Sequence, residues 1–421
     1  MLKRCISVCF AFLPIYFTLL AFAQEKSPNR VVSEKLIAQI DFSSWIMKIF
    51  KVSPDSKRVA YGAAAGNKRF VVVDGKEERR YDDIGMLIFS PDSKRVAYGA
   101  AAGNKRFVVI DGKEERQYDD IGVLVFSPDS KRVAYAARAG NKWFVVVDRK
   151  EEKQYDDIAK DILTFGPDSK RVAYAAKAGN KWFVIVDGKE EKQYDDIGTF
   201  ILSPDSKRVA YAAKAGNKWF VVVDGREEKQ YDDIAKDILT FSPDSKRVAY
   251  AAKTGNKWFV VVDGREEKQY DDIGVLLFSS DSKRVAYGAA AGDERFVVVD
   301  GKEEGRYDDI GTPIFSPDSK RVAYAATAGN KQFVVVDGKE QRQHDGIGKG
   351  TLIFSPDSKR VAYGAIGGTK QFMVVDGKDG KEYDSIINIG GGRAIFDSSD
   401  RLHYLTLKEG NKIYLVEEEI R

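Results

Sequence analysis

From about residue 44 onward, apolar and polar positions follow the two-residue alternation of β-strands, and no stretch has helical spacing. The unit from Gly85 to Ile121 shows the pattern. Met86-Leu87-Ile88-Phe89 is continuously apolar, as in a strand covered on both faces. Ser90-Pro91-Asp92-Ser93 predicts a β-turn, because proline presets φ and aspartate favours the bend. Val96, Tyr98 and Ala100 then alternate with the small residues Ala97 and Gly99, which leaves one face thin enough for close packing. Gly103-Asn104-Lys105 predicts a second turn, and Phe107-Val108-Val109-Ile110 a third strand. Asp111-Gly112 is a hairpin signal, and Glu115 to Tyr118 is expected to form a short, polar outermost strand.

This unit recurs. Ser-Pro-Asp-Ser-Lys-Arg-Val-Ala-Tyr, or a near copy, begins at Ser53, Ser90, Ser127, Gly166, Ser203, Ser242, Ser279, Ser316 and Ser355, at steps of 37 or 39 residues. A tenth, eroded copy begins at Asp397, with Leu402-His403-Tyr404 in place of Val-Ala-Tyr. Four strands per unit of this length make the blade of a β-propeller, whereas helical repeats and the strand-plus-helix leucine-rich type are excluded. The expected fold is all-β: a β-propeller of about ten four-stranded blades. One ring and two five-bladed rings are both open, and the unbroken step and lack of a linker favour one. The last copy supplies three strands, Arg393–Phe396, Arg401–Leu407 and Lys412–Val416, and then stops at Glu417-Glu418-Glu419. Lys35 to Ile40 is a spare strand before the first copy. Pairing it beside residues 412–416 would close the ring and hide an aggregation-prone edge.

The segment Ser203-Pro204-Asp205-Ser206-Lys207-Arg208-Val209-Ala210-Tyr211 resembles the WD40-like repeats of TolB-type periplasmic proteins and the tricorn protease, whose blades carry Ser-Pro-Asp-Gly, a basic residue and an Ile/Val-Ala-Phe/Tyr strand. The resemblance covers nearly all of the chain after residue 44 and implies a propeller. It departs from that pattern in having serine instead of glycine after the aspartate. It also lacks the Gly-His and Trp-Asp dipeptides of true WD repeats, with Val-Asp where Trp-Asp would stand. Residues 24–43 are too few for the α/β domain that precedes the TolB propeller, so the similarity is one of repeat and not of domain plan.

The N-terminal residues change the expected location. Lys3 and Arg4, an apolar stretch from Cys5 to about Leu20, and Ala21-Phe22-Ala23 before Gln24 have the form of a cleaved signal peptide. Pro14 and the short length argue against a membrane span. The organisation expected is therefore signal peptide over 1–23, an N-terminal segment with the closing strand over 24–43, and propeller repeats over 44–421. The export expected is periplasmic or extracellular, with no membrane span after cleavage. Both cysteines, Cys5 and Cys9, leave with the signal, so no disulfide or cysteine metal site is expected afterwards. No Asn-x-Ser/Thr acceptor occurs, which suits a bacterial envelope. With 68 basic and 64 acidic residues the formal charge is +4. So small a surplus is poor bait for polyphosphate, and no nucleic acid is expected as a partner.

Candidate chemistry lies on the face shared by the fourth-to-first and second-to-third connections. Tyr-Asp-Asp-Ile segments place Asp82, Asp119, Asp156, Asp195, Asp232, Asp271 and Asp308 there, a circle of carboxylates near the channel mouth. Such a circle could draw cations or a basic partner; its ordinary role is to cap turns and pair with nearby lysines. Trp143, Trp182, Trp219 and Trp258 begin the third strand in four consecutive units, where Arg69, Arg106 and Arg295 stand in flanking units and Gln332 and Gln371 further on. This arc could stack a sugar or anchor a partner, or pack blade against blade. The two histidines, His344 and His403, are expected to pack or face solvent, and no nucleophile elbow, phosphate loop or paired-histidine motif occurs. No catalysis, no metal and no cofactor are therefore expected. Two departures from the repeat, Asp293-Glu294 and Ile366-Gly367-Gly368-Thr369, read as drift. The function expected is a non-catalytic scaffold for a protein partner, with a glycan or small-ligand binder as the alternative.

Overall fold

The computed structural model describes residues 30–421, apart from the side chains of Met47, Lys160 and Asp161. The expected signal peptide and both cysteines lie outside the described residues. Among the described residues there is no helix, and hence none long and apolar enough to cross a membrane. Ten antiparallel sheets follow one another, nine built from consecutive strands and the tenth completed from the N-terminus.

Blade 2 represents the repeat. Its inner strand is Asp83–Phe89, followed by Val96–Ala102, Lys105–Ile110 and an outer strand of two residues, Lys113–Glu114. The inner strand starts earlier than its apolar run suggests, because Asp83 and Ile84 pair with Ala101 and Ala100 before a bulge resets the register. The outer strand lies closer to the turn than Glu115–Tyr118. Asp111 and Gly112 both have positive φ (50° and 76°), a two-residue hairpin that leads straight into pairing at Lys113. The chain then swings out and returns at a single bridge between Tyr118 and Arg106. Inner strands of blades 4 and 6, Asp157–Phe165 and Asp233–Phe241, are nine residues long instead of seven, which accounts for two of the 39-residue steps.

Most seams between blades use the same contacts. The serine that stands where related repeats have glycine sits at left-handed φ (Ser206, 60°), which costs a non-glycine residue about 1 kcal/mol. Its buried hydroxyl accepts a hydrogen bond from the backbone of the preceding blade: Asp168 N–H donates to Ser206 Oγ at 2.9 Å, and Asp205 N–H to Ser245 Oγ at 2.9 Å. That bond, worth about 1 kcal/mol, offsets the strain. The arginine of the motif also reaches across. Arg58 Nε donates to Asp74 at 2.7 Å, its Nη1 to Ser93 O at 2.8 Å, and its guanidinium lies 5.3 Å from the Phe89 ring centre. Deeper in the seam Tyr81 donates to Glu114 of the next blade at 3.1 Å, a pairing repeated by Tyr118 and Glu151. Burial first, and then the neighbouring Glu114, push the Tyr81 phenol up to about 12, so it stays a neutral donor.

Ring closure follows the expected plan over a longer strand. Residues Arg30–Gln39 pair antiparallel with Lys412–Ile420, from Arg30 opposite Ile420 to Gln39 opposite Lys412. Ile40 lies just past the strand, with its N–H bonded to Asn411 O at 2.9 Å. Glu417-Glu418-Glu419 does not end the last blade as expected; it continues the third strand. The physical reason is Arg30, which reaches the 1%-exposed Glu418 at 3.1 Å and also donates to Met373 O. The first strand of that blade is also split, with Ser385–Ile386 and Ile395–Phe396 pairing separately with Arg401–Lys408. Ala38, Ile40, Leu405, Ile413 and Leu415 of the last blade share one core with Phe50, Val59, Tyr61 and Phe70 of the first, so the blades form a single ring. At this seam Val52 N–H donates to Gly390 O at 2.8 Å, and His403 lies buried between Asp397 and Asp55 O, 2.7 Å from each.

The closing strand even supplies the repeat's seam glutamate, since Tyr383 donates to Glu34 at 2.9 Å. Burial opposes the charge on Glu34, but bonds from Lys381, Lys408 and Tyr383 outweigh it and hold the carboxyl at about 2, below its usual 4.5. A depressed carboxylate stabilises the fold above its unfolded pKa and loses that contribution as pH falls. Closure is therefore expected to weaken between about pH 4.5 and 2, and Glu34→Gln to flatten that part of a stability–pH profile; an unchanged slope would contradict this. Arg30→Ala strands a buried carboxylate and is expected to cost about 3–5 kcal/mol by urea unfolding, whereas a loss below about 1 kcal/mol would deny Arg30 that role.

Candidate functional site

The doublet aspartates bridge neighbouring blades on one face. Asp82 accepts from Lys68 Nζ of the preceding blade at 2.6 Å and from Gly103 N–H of its own blade at 2.7 Å. Asp119 does the same with Lys105 and Gly140, Asp156 with Lys142 and Gly179, and Asp195 with Lys181 and Gly216. Asp232 and Asp271 follow with Lys218 and Gly255, and with Lys257 and Gly292. The bonding lysines, and then the glycine N–H groups, hold these exposed carboxyls below the usual range. Asp308 keeps the Gly329 bond at 2.7 Å, while Glu294 stands where its lysine would be and pairs with Arg306 instead. The circle extends to Asp345, bonded to Lys331 and Gly368, and to Asp384, bonded to Lys370; neither stands in an intact Tyr-Asp-Asp motif.

The four tryptophans are half-buried at the start of the third strand. Each stands opposite a basic residue on the second strand: Arg138 with Trp143, Lys177 with Trp182, Lys214 with Trp219 and Lys253 with Trp258. These cations lie over the rings, 5.7, 5.5, 5.7 and 5.3 Å from the centres. The pairing spans two strands, so it shows in the sequence only when the repeats are set side by side. Blades 1, 2 and 7 have alanine (Ala64, Ala101, Ala290) opposite Arg69, Arg106 and Arg295. The rings pack into the edge of the seams, and Trp219 comes so near the inner strand that a side chain at Gly198 would lie 3.4 Å from its Cζ3.

Between the inner strands of blades 5 and 6 the arc opens a groove of about 520 Å³, lined by Trp219, Trp258, Asp196, Thr199, Asp233 and Lys236 among others. The matching groove between blades 2 and 3, where Arg106 replaces tryptophan, holds about 160 Å³. Repeat, sheet order and closure agree. The chain is a ten-bladed β-propeller.

No family model matches the chain, and no curated protein does. Solved structures similar to it include a eukaryotic initiation factor (14% identity, 78% of this chain and 97% of that one, TM-score 0.48) and the Dos1 propeller (13%, 71% and 92%, 0.38). TolB from Acinetobacter baumannii is similar at 19% identity over 52% of this chain and 61% of its own, with a TM-score of 0.29. None of these assigns the propeller a ligand.

Of the two histidines, His344 replaces the seam tyrosine and is buried against Tyr363 and Phe372, and its Nε2 has no protein partner. Burial lowers its pKa. Among the described residues no three His, Cys, Asp or Glu side chains group as metal ligands would. Lys253→Met removes the cation over Trp258 and is expected to cost about 0.5–1 kcal/mol in urea unfolding; a cost above about 2 kcal/mol would mean the lysine holds the seam by another contact.

Proposed function

We propose that this propeller is an exported, non-catalytic scaffold of the cell envelope or periplasm that binds a protein partner through the face carrying the tryptophan arc. The observation that supports this is that tryptophan opens the third strand in four consecutive blades alone, since a symmetric ring needs a break to hold one partner in one place. Tryptophan is also the residue most enriched at protein contact centres. The first aspartates of the doublets are already engaged by lysines and glycine N–H groups, which leaves the arc and the second aspartates beside it as the surface with bonding capacity to spare. A second reading, a glycan or small-ligand binder, is favoured by the groove of about 520 Å³, a size ordinary for small-molecule sites.

A tagged chain starting at Gln24, used to capture partners from an extracytoplasmic extract, is expected to retain one protein in near-stoichiometric amount. The four tryptophan-to-alanine changes together are expected to release it, and asparagine at Asp82, Asp119 and Asp156 is not. Retention of soluble glycan in place of any protein would favour the second reading, and release by the asparagine changes alone would move the site to the carboxylate circle. Export is checked by the mass of the secreted chain, expected to start at Gln24; a chain retained inside the cell with Met1 intact would reject it.

A further inference from the structure

We infer that the groove between blades 5 and 6 is a receptor for a basic side chain, an arginine or lysine supplied by the partner; this rests on the scaffold reading above. The warrant comes from the repeat itself. Where the third strand begins with arginine, that arginine closes on the second aspartate of the next blade's doublet: Arg69 on Asp83 at 2.5 Å, Arg106 on Asp120 at 3.4 Å, and Arg295 on Asp309 at 3.5 Å. Where it begins with tryptophan, the aspartate in the same place loses that partner. Asp196 and Asp233, which follow Trp182 and Trp219, have no cation within ion-pair distance among the described side chains.

Among the described residues each of these carboxylates accepts only the N–H of its following isoleucine, through Oδ1 at 2.9 Å, and keeps Oδ2 available. The resident lysines do not fill the place. Lys214 and Lys253 stand opposite Asp196 and Asp233 in the strand ladder, but hold their ammonium groups over Trp219 and Trp258, make no ion pair with those aspartates and do not line the groove. The lining then carries two carboxylates against one cation, Lys236, beside two indole faces. A cation on an aliphatic stem matches both features: the stem lies on Trp219 and Trp258, and the head takes the position that the protein's own arginine occupies in blades 1, 2 and 7. A neutral sugar has no use for two carboxylates without an ion-pair partner, and an anion is repelled by them.

Calorimetric titration of the chain from Gln24 with a hexa-arginine peptide tests this, with hexa-glutamate and maltohexaose as comparison probes. Hexa-arginine is expected to bind, more weakly as salt is raised. Asp196→Asn with Asp233→Asn is expected to weaken it on the order of ten-fold or more. Trp219→Arg, which returns the repeat's arginine to Asp233, is expected to weaken it similarly while the melting temperature stays within that of the parent chain. No binding of hexa-arginine, or binding indifferent to both changes, would overturn the inference, as would binding of maltohexaose or hexa-glutamate that these changes abolish. Partner capture that persists while hexa-arginine fails would leave the scaffold standing without a basic anchor. Groove-dependent hexa-arginine binding without a captured protein would do the reverse.

Discussion

Everything in this molecule depends on covering both faces of every blade. A four-stranded sheet with an apolar inner run and alanine-rich second strand is stable only between two neighbours, so a row of such sheets must meet end to end. The strand Arg30–Gln39 makes that meeting possible by becoming the outer strand of the tenth blade. It brings Glu34 to Tyr383 and Arg30 to Glu418, reproducing one seam contact of the repeat and adding a buried ion pair found at no other seam among the described residues. The closing seam differs from the others because the eroded copy lacks the Ser-Pro-Asp-Ser turn. Arg393 N–H to Ser56 Oγ at 3.3 Å, and Arg393 to Pro54 O at 2.9 Å, stand in for it.

The repeated seam is held by small contributions acting together. A strained serine hydroxyl, an arginine bridging two turns, and a neutral tyrosine against a glutamate each contribute on the order of 1 kcal/mol. Their regularity makes the ring rigid and nearly symmetric, and so the exceptions carry the information about binding. At one of them, blade 3, Arg149 takes the glycine position of the hairpin at φ 71° and closes on the nearly buried Glu115 at 2.8 Å. At the tryptophan arc the exceptions are coordinated: a ring, a basic residue opposite it, and an aspartate in the next blade that has lost its arginine.

Much of the fold was legible in the residues. The period, the Asp-Gly and Ser-Pro-Asp turns and the spare N-terminal strand each have a local cause, and local causes are readable in a single chain. The continuation of the last strand through Glu417–Glu419 was not, because a carboxylate is acceptable there only with Arg30, 388 residues away in sequence, beside it. The outer strand slipped for a smaller reason: two residues of pairing leave no periodicity to read. At the candidate site the tryptophans and first aspartates were visible one by one. Their lysine partners and the solitary second aspartates became visible only with cross-strand register and blade-to-blade adjacency.

The central claim is a single ring closed by its own N-terminus, and a disulfide tests it most directly. Ser33 lies opposite Glu417 in the closing pair, and the chain from Gln24 contains no cysteine of its own. Ser33→Cys with Glu417→Cys is expected to oxidise within one chain, leaving a monomer whose urea midpoint is higher than that of the reduced form. Free thiols under oxidising conditions, or cross-linked dimers in place of the monomer, would contradict the closed ring.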